Sequence, residues 1–292
     1  MDFKSIESNE DYVIIREIRN FELDHVFECG QCFRWNKTKE GTFTGVAFDR
    51  VIEVERKGND LIIHNTTEKE FNDIWIKYFD LERDYNEIKE ELSKDPLLKK
   101  SVNFGSGIRI LKQEPFEILI SFIISANNRI PMIKRAIKAI SKKWGKKIQY
   151  KGETYYTFPK VEDLQDKTIE DFEECGTGFR AKYIKDTCER VYESNNILEK
   201  IYSCDDNQCH IELQKFMGVG PKVADCIMLF SMQKYSAFPV DVWVKRAMMH
   251  FYVAPDVSLK KIRDFGRNKF GMLSGFAQQY LFYYARENNI TV

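Results

Sequence analysis

The hydrophobic period of the chain changes near residue 95, and this change constrains the fold more than any other feature. Before it, short runs rich in β-branched and aromatic residues alternate with turn signals, and Gly58–Asp60 between two such runs predicts a hairpin. After it, apolar residues such as Ile133 and Ile137 recur at helical spacing, with lysines and arginines opposite. We therefore predict an α+β fold, with an antiparallel β-sheet domain over residues 1–97 and a larger all-helical region over residues 98–292.

The charges of the chain are balanced overall but segregated along it. The 45 Lys and Arg match 45 Asp and Glu, and a net charge of zero argues by itself against general nucleic-acid binding. Residues 127–151, however, hold nine basic and no acidic side chains, and residues 242–292 hold eight basic and three acidic ones. Such segregation allows one basic face for nucleic acid, although a basic run is as often a solvated surface.

The chain shows no targeting or membrane signal. Its first residues are polar and acidic, without the apolar segment of a signal peptide, and no apolar run reaches the ~20 residues of a membrane span. Seven cysteines, an odd number, fit reduced thiols. We expect a soluble monomer that is not secreted and has no membrane partner, located in the cytoplasm and nucleoid, or in the nucleus if the source is eukaryotic.

The segment 210–232 predicts two helices joined by a tight loop. Gly218 and Gly220 permit positive φ angles and close approach of another molecule to the backbone, and Pro221 suits the first turn of the second helix. The loop thus ends on a helix N-terminus, whose free amides bind anions such as phosphate without reading sequence. An equally good interpretation is a plain glycine turn between two helices that binds no ligand.

Lys222 and Asp241 are the candidate catalytic residues. Lys222 falls in the first turn of the second helix, where the helix dipole disfavours a protonated amine, and an unprotonated amine is a nucleophile that can form a Schiff base. Asp241 is flanked by apolar residues and predicts either a buried carboxylate or a helix N-cap. Asp225, three residues after Lys222, is a rival acid, and the residues alone do not choose between the two.

Two of these motifs, GVGPKVADC at residues 218–226 and FPVDVWVKR at residues 238–246, resemble those of the helix-hairpin-helix DNA glycosylases with a catalytic Lys and Asp. Four further motifs indicate the 8-oxoguanine DNA glycosylase branch, and the resemblance covers nearly the whole chain. They are GQCFRW at 30–35, SANN at 125–128, GTGFRAKYI at 176–184 and GFAQQYLF at 275–282. The resemblance implies a lesion cleft between two helical subdomains, with the hairpin at 210–232.

The resemblance also implies a bifunctional enzyme that excises 8-oxoguanine from double-stranded DNA by base flipping. Lys222 matches the nucleophile that attacks the sugar C1′, and Asp241 matches the carboxylate that stabilises the developing positive charge. The resulting Schiff base permits β-elimination, which is the lyase activity. No cofactor is expected for catalysis, and no iron–sulfur cluster, because no cysteine follows Cys226.

Four residues match the family's lesion-binding positions. Phe282 and Cys226 match the residues on the two faces of the flipped base, and Gln278 matches the reader of its Watson–Crick edge. Gly30 matches the glycine whose carbonyl accepts a hydrogen bond from N7–H, which oxidised guanine has and guanine lacks. A buried apolar helix stripe is the alternative interpretation for Phe282 and Gln278.

The remaining matches concern DNA and a cation. The expected DNA-binding residues are Asn127, which would fill the hole left by the flipped base, Arg180, which would contact the partner base, Trp243 near a phosphate, and Asn128, Gly218, Gly220, Phe179 and Met132. Phe179 and Met132 depart from the family, which has a Tyr wedge and a second partner-reading Arg there, and we hypothesise relaxed discrimination of the partner base. The hairpin carbonyls of Gln214, Phe216 and Val219 are a candidate site for a structural monovalent or divalent cation.

Three alternatives stay open at this point. The first is a monofunctional glycosylase of the alkylation-repair branch, which lacks the Lys. The second is a non-catalytic helix-hairpin-helix DNA-binding protein. The third is a zinc site, which Cys29 and Cys32 could form together with Cys204 and Cys209.

Overall fold

A six-stranded antiparallel sheet forms the N-terminal part of the computed structural model, which describes residues 1–194, 196–253 and 257–291. The strand order is β1-β2-β6-β5-β4-β3. The strands are β1 (Ser5–Ser8), β2 (Tyr12–Arg16), β3 (Trp35–Lys37), β4 (Phe43–Ala47), β5 (Arg50–Lys57) and β6 (Asp60–His64). The predicted hairpin at Gly58 is confirmed, because Lys57 pairs with Asp60 and Gly58 has a φ of 61°.

One face of the sheet packs against short helices and forms an apolar core. The alternation of β2 buries Val13 and Ile15, as expected for a half-buried strand. The covering segments are α1 (Leu23–Phe27), α2 (Glu68–Glu70), a π-helical turn (Phe71–Trp75) and α3 (Ile76–Tyr78). Phe27 stacks on Trp35 with ring centroids 4.1 Å apart, so the segment that follows α1 is anchored to the sheet.

The rest of the chain is largely helical, as predicted. The helices are α4 (Tyr85–Leu92), α5 (Pro96–Phe104), α6 (Pro115–Ser125), α7 (Ile130–Trp144), α8 (Val161–Leu164), α9 (Ile169–Glu174), α10 (Ala181–Glu193), α11 (Ile197–Ser203), α12 (Asp206–Leu213), α13 (Pro221–Ser231), α14 (Val242–Phe251), α15 (Leu259–Phe270) and α16 (Ser274–Glu287). Helices α6 and α13 are almost entirely buried and pack against each other at the centre.

Residues 147–156 form a two-stranded hairpin, within the region 98–292 that the sequence predicted to be all-helical. Strands β7 (Lys147–Tyr150) and β8 (Glu153–Tyr156) are joined by Lys151 and Gly152, which have φ angles of 48° and 78°. The Lys151 Nζ lies 2.6 Å from the Glu53 carboxylate on β5. Contacts with residues distant in sequence hold the hairpin against the sheet. Strands of only four residues that depend on such contacts have no clear alternating pattern in the sequence.

Arg109 joins the sheet to the helical region. Its guanidinium is fully buried, lies 2.8 Å from the Asp2 carboxylate and 4.1 Å from the centre of the Tyr85 ring, and donates to the carbonyl of Phe79 at 3.0 Å. A buried charge is stable only when it is paired and hydrogen-bonded in this way.

The division of the chain at residue 97 stays a prediction. Helix α4 contributes Tyr85 and Ile88 to the core of the helical region, although it precedes that boundary. Leu111 follows the boundary and belongs to the core of the sheet. The two cores are therefore interleaved along the sequence between α4 and α6.

Candidate active site

A cavity of about 290 Å³ opens between α6, α7, α13, α14, α16 and the segment that follows α1. Its size lies at the lower end of the ~300–1,000 Å³ typical of ligand pockets. Segments from both ends of the chain contribute to it. Of the predicted site residues, those that line it are Gly30, Asn128, Lys222, Cys226, Asp241, Trp243, Gln278 and Phe282.

Lys222 is the second residue of α13, directly after Pro221, and it is half-buried in the cavity wall. Its Nζ lies 5.4 Å from the centre of the Phe122 ring on α6, within the range of a cation–π contact. Among the described residues, no carboxylate lies within 4.0 Å of this nitrogen. The amine is therefore held by packing and the helix start rather than by an ion pair, so it stays available to a substrate.

Asp241 combines the two roles that the sequence suggested for it. Its carboxylate is the N-cap of α14 and accepts the Val244 N–H at 2.8 Å. Burial raises the pKa of Asp241, while this hydrogen bond and the positive charge of Lys222 oppose the shift. A partly buried carboxylate thus lies at a helix start on the same cavity as the Lys222 amine.

Asp225, the rival acid, is engaged elsewhere. It is fully buried, accepts two hydrogen bonds of 2.6 and 2.8 Å from the Arg263 guanidinium, and lies 3.6 Å from His210 Nε2. It does not line the cavity. This carboxylate ties α13 to α15 and α12, so geometry favours Asp241 as the acid that can act beside Lys222.

Gly30 and Phe282 form one narrow part of the cavity. Gly30 has a φ of 78°, and a Cβ built on it would lie 3.2 Å from two carbons of the Phe282 ring. Phe282 and Gln278 lie four residues apart on α16, so the ring and the amide share a helix face. The Arg286 guanidinium covers the ring, with its carbon 5.2 Å from the ring centre. A side chain at position 30 would crowd this ring and would strain the positive φ.

Gln31 positions the neighbouring Gly30, a role that the GQCFRW motif does not reveal by itself. The buried amide of Gln31 donates to the carbonyls of Val26 at 2.8 Å and Arg109 at 2.7 Å, and accepts the Leu111 N–H at 2.9 Å. The Gln31 carbonyl in turn accepts from Gln113 at 2.8 Å. Three of these four hydrogen-bond partners lie about 80 residues away in the sequence, so no local pattern could reveal the role of Gln31.

Cys226 lies one helical turn after Lys222 on α13. Burial raises the pKa of its thiol to about 11, against the lowering effect of the Lys222 charge. The thiol is therefore neutral near pH 7 and acts as a small, polarisable part of the wall. Trp243, on α14, is half-buried in the same cavity, with the Arg246 guanidinium 4.9 Å from its ring centre.

Besides the hairpin residues Gly218 and Gly220, four predicted DNA-binding residues lie outside the cavity. Asn127 is exposed and has a φ of 51°, and the side chains of Met132 and Phe179 are also exposed. Arg180 donates to the carbonyl of Ala126 at 2.6 and 2.8 Å and to that of Asn127 at 2.9 Å. In this state Arg180 fixes the SANN loop, and its contact with a partner base stays a prediction.

The two glycines of the hairpin between α12 and α13 differ in their backbone conformation. Gly218 has a φ of 82°, and a Cβ there would lie 2.6 Å from the Tyr183 ring, so glycine is required. Gly220 has a φ of −89°, in extended backbone that any residue adopts, so the positive φ that glycine permits is not used there. A Cβ at Gly220 would contact nothing within 4 Å. What distinguishes Gly220 is the open space beside the helix start.

The proposed cation site rests on backbone carbonyls of this loop. The Phe216 carbonyl accepts the Val219 N–H at 3.1 Å, which leaves one of its lone pairs free for a cation. The set of Gln214, Phe216 and Val219 stays a prediction. Within the part of the chain that the structure describes, no group of three or more His, Cys, Asp or Glu side chains could hold a metal, and no helix could cross a membrane.

Two family matches divide the chain between them. Residues 13–119 match the 8-oxoguanine DNA glycosylase N-terminal domain, and residues 120–271 match the HhH-GPD superfamily of base excision DNA repair proteins. The chain belongs to the 8-oxoguanine DNA glycosylase family. The predicted resemblance and the α+β fold are thereby confirmed.

Individual relatives of the family agree with this assignment. The probable N-glycosylase/DNA lyase of Methanothermobacter thermautotrophicus is 35% identical over 236 residues, which cover 74% of this chain and 75% of that protein. The N-glycosylase/DNA lyase OGG1 of Arabidopsis thaliana is 31% identical over 278 residues, 89% of this chain and 76% of that one. The crystal structure of the Clostridium acetobutylicum 8-oxoguanine glycosylase/lyase, in complex with double-stranded DNA containing cytosine opposite 8-oxoguanine, is 68% identical. It covers 99% of this chain and 100% of its own, with a TM-score of 0.97.

Proposed function

We propose that this protein is a bifunctional DNA glycosylase/lyase that removes 8-oxoguanine from double-stranded DNA and then cleaves the strand. The observation that carries the proposal is the shared cavity, which Lys222 and Asp241 line together with Gly30, Gln278 and Phe282. A nucleophile, an acid and a purine-sized recognition surface are the parts that base excision requires. The family match supports the same reaction.

The chemistry follows from the two catalytic groups. The Lys222 ammonium first loses a proton to solvent. Its nitrogen then donates its lone pair to the sugar C1′, and the bond from C1′ to the base breaks with its electrons leaving on the base, which takes up a proton in turn. The Asp241 carboxylate stabilises the positive charge that develops on the sugar. Opening of the sugar ring gives a Schiff base to Lys222. Loss of a C2′ proton then expels the 3′ phosphate, which cleaves the strand.

Recognition of the lesion is assigned to three walls of the cavity. The base must first leave the duplex, at a cost of a few kcal/mol. Phe282 stacks on the everted ring and Gln278 bonds its Watson–Crick edge. The Gly30 carbonyl accepts from the N7–H of 8-oxoguanine, whereas it would repel the N7 lone pair of guanine. One carbonyl thus both attracts the lesion and rejects the normal base.

DNA is held outside the cavity by contacts to its backbone. The amides at the start of α13, next to Gly220, bind a phosphate, and a cation on the carbonyls of Gln214, Phe216 and Val219 would stiffen that loop without taking part in a reaction step. The basic run over residues 127–151 supplies further phosphate contacts. Binding should therefore weaken as salt rises, with a slope set by the number of phosphates contacted.

Borohydride trapping on a duplex that contains 8-oxoguanine tests the proposal. The wild-type protein should cross-link covalently to the lesion strand and cleave it. The Lys222→Gln variant should do neither, yet should still bind the lesion duplex, whereas the control Lys260→Gln, whose side chain is 87% exposed, should behave as wild type. Base release without cross-linking would indicate a monofunctional glycosylase, and binding without base release a non-catalytic protein.

A further inference from the structure

Arg286 lies on α16 one helical turn after Phe282, and its side chain lines the lesion cavity. The carbon of its guanidinium lies 5.2 Å from the centre of the Phe282 ring, within the range of a cation–π contact. Only 18% of the Arg286 side chain is exposed, so the protein holds this group in place. Phe282 itself is half-buried and lines the same cavity, so part of its ring stays available to a base.

The same guanidinium reaches the segment that carries Gly30. Its Nη2 donates a hydrogen bond to the Glu28 carbonyl, and a Cβ built on Gly30 would lie 3.9 Å from its Nη1. Glu28 is the C-cap of α1, and the carbonyls at a helix C-terminus lack partners within the helix. Arg286 therefore supplies a partner that this short helix does not have, and it joins α16 to the chain two residues before Gly30.

Two kinds of contact limit the distance between Gly30 and the Phe282 ring. A Cβ on Gly30 would lie 3.2 Å from two ring carbons, so the backbone and the ring already touch and cannot move closer. The hydrogen bonds of Gln31 anchor the Gly30 loop to residues 26 and 109–113, which lie outside α16. The contacts of Arg286 act in the opposite sense to the packing, because they oppose a separation of the loop from the ring.

This distance matters because the two walls read different properties of one base. Stacking on Phe282 does not distinguish 8-oxoguanine from guanine, since both are flat purines. The distinction depends on the hydrogen bond from N7–H to the Gly30 carbonyl, and a hydrogen bond weakens steeply as its geometry departs from the ideal. A loop that moved away from the ring would leave N7–H of a stacked base without a well-placed acceptor.

We propose that Arg286 is a positioning residue for lesion recognition. It holds the Phe282 ring and the Glu28 carbonyl together, and thereby keeps the Gly30 carbonyl in line with a base stacked on the ring. The inference rests on the proposed function and adds the residue that joins the stacking wall to the wall that reads N7–H. It follows that loss of Arg286 lowers the preference for 8-oxoguanine over guanine, and not the affinity for DNA in general.

The ratio of two affinities tests this role. Fluorescence anisotropy measures how the Lys222→Gln parent binds duplexes that contain either 8-oxoguanine or guanine at the same position. Arg286→Met keeps an unbranched side chain but removes the charge and the donors. It should lower the ratio about two- to tenfold, the effect of one hydrogen bond, by weakening only the 8-oxoguanine duplex. Because one protein sample binds both duplexes, any loss of folded protein cancels in the ratio.

Three further variants separate positioning from other roles. Arg286→Lys keeps a cation and a donor, and it should restore most of the ratio. Glu287→Gln removes only the ion pair of Arg286 with a carboxylate whose side chain is 43% exposed, and it should leave the ratio unchanged. In a Phe282→Leu background, Arg286→Met should change the ratio by less than it does in the parent, because the ring that the guanidinium holds is absent.

An Arg286→Met protein that keeps the parental ratio would overturn the proposal. Equal weakening of both duplexes would also overturn it, because Arg286 would then be a general contact to DNA. The same holds if Arg286→Lys loses the ratio as fully as Arg286→Met, or if the effects of Arg286→Met and Phe282→Leu simply add. A parent that binds 8-oxoguanine no better than guanine would instead be a failure of the proposed function.

Discussion

The Asp225 carboxylate and the Arg263 guanidinium form a bidentate ion pair, with hydrogen bonds of 2.6 and 2.8 Å. Asp225 follows Lys222 by three residues on α13, yet it is fully buried and lies outside the cavity. Asp241 is distant in sequence and lies inside it. The two aspartates thus differ in what they do, and this difference can be measured.

Asp225→Asn is expected to destabilise the fold. Removal of one charge leaves the Arg263 guanidinium, 13% exposed, without its partner, and breaking a buried pair costs about 3–5 kcal/mol. The measurement is the free energy of unfolding in urea, with Asp264→Asn, which alters an exposed pair with Lys260, as the control. An Asp225→Asn protein as stable as the control would contradict the structural role of this ion pair.

Asp241→Asn and Asp241→Ala should separate catalysis from helix capping. Asparagine caps a helix as well as aspartate does, whereas alanine loses the bond to Val244 and about 1 kcal/mol. Both variants lack the carboxylate, so single-turnover excision should fall by about 10²–10³-fold in each. Only Asp241→Ala should also show a lower melting temperature. Wild-type excision by Asp241→Asn would exclude this carboxylate from the reaction.

The raised pKa of Asp241 predicts how its effect on stability depends on pH. Because the folded pKa lies above the ordinary value of 3.8, the folded protein binds the proton more tightly than the unfolded chain. The stability from this carboxyl is complete below pH 3.8 and is lost as pH rises through the folded pKa. The stability of Asp241→Asn relative to wild type should therefore increase across that range. A difference in stability between the two proteins that does not change with pH would argue against a raised pKa of Asp241.

Relaxed discrimination of the partner base is expected from Met132 and Phe179. Their side chains are 45% and 54% exposed, and neither can fork onto the acceptors of cytosine. Arg180 is bonded to loop carbonyls and does not replace the missing arginine in the free protein. The rate of single-turnover excision should differ by less than about tenfold among duplexes with C, A, G or T opposite the lesion. In a protein that reads the partner base, each wrong base would cost ~1–3 kcal/mol of binding free energy.

Met132→Arg, alone or with Phe179→Tyr, should steepen the preference for cytosine by slowing excision opposite A, G and T. Met132→Leu keeps an apolar side chain and is the control. A wild-type protein that already prefers cytosine steeply would refute the assignment of these two positions.

The two hairpin glycines should respond differently to alanine. Gly218→Ala strains a φ of 82° and brings a Cβ within 2.6 Å of the Tyr183 ring, so the melting temperature should fall together with DNA affinity. Gly220→Ala meets no protein atom within 4 Å, so the fold should keep its stability. Its methyl group would occupy the approach of a phosphate, and affinity should fall with a shallower dependence on salt. Unchanged affinity in Gly220→Ala would place the phosphate elsewhere.

The sequence predicted the features that depend on local pattern. The change of period gave the sheet and the helices, and the motif around Lys222 gave the helix start and the family. The residues alone could not show whether Asp225 or Asp241 is the acid available beside Lys222. The answer depends on the ion pair of Asp225 with Arg263, 38 residues later in the sequence.

The hydrogen bonds of Gln31 have a consequence for the timing of recognition. They join the Gly30 loop to Arg109 and Leu111, and Arg109 is itself fixed by Asp2. The Gly30 carbonyl, which we propose distinguishes the lesion from guanine, is therefore immobilised when the protein folds, and its ordering entropy is lost before DNA arrives. It follows that the DNA, and not the Gly30 loop, must change shape when a base is everted. Each everted base is then compared with a carbonyl whose position does not change.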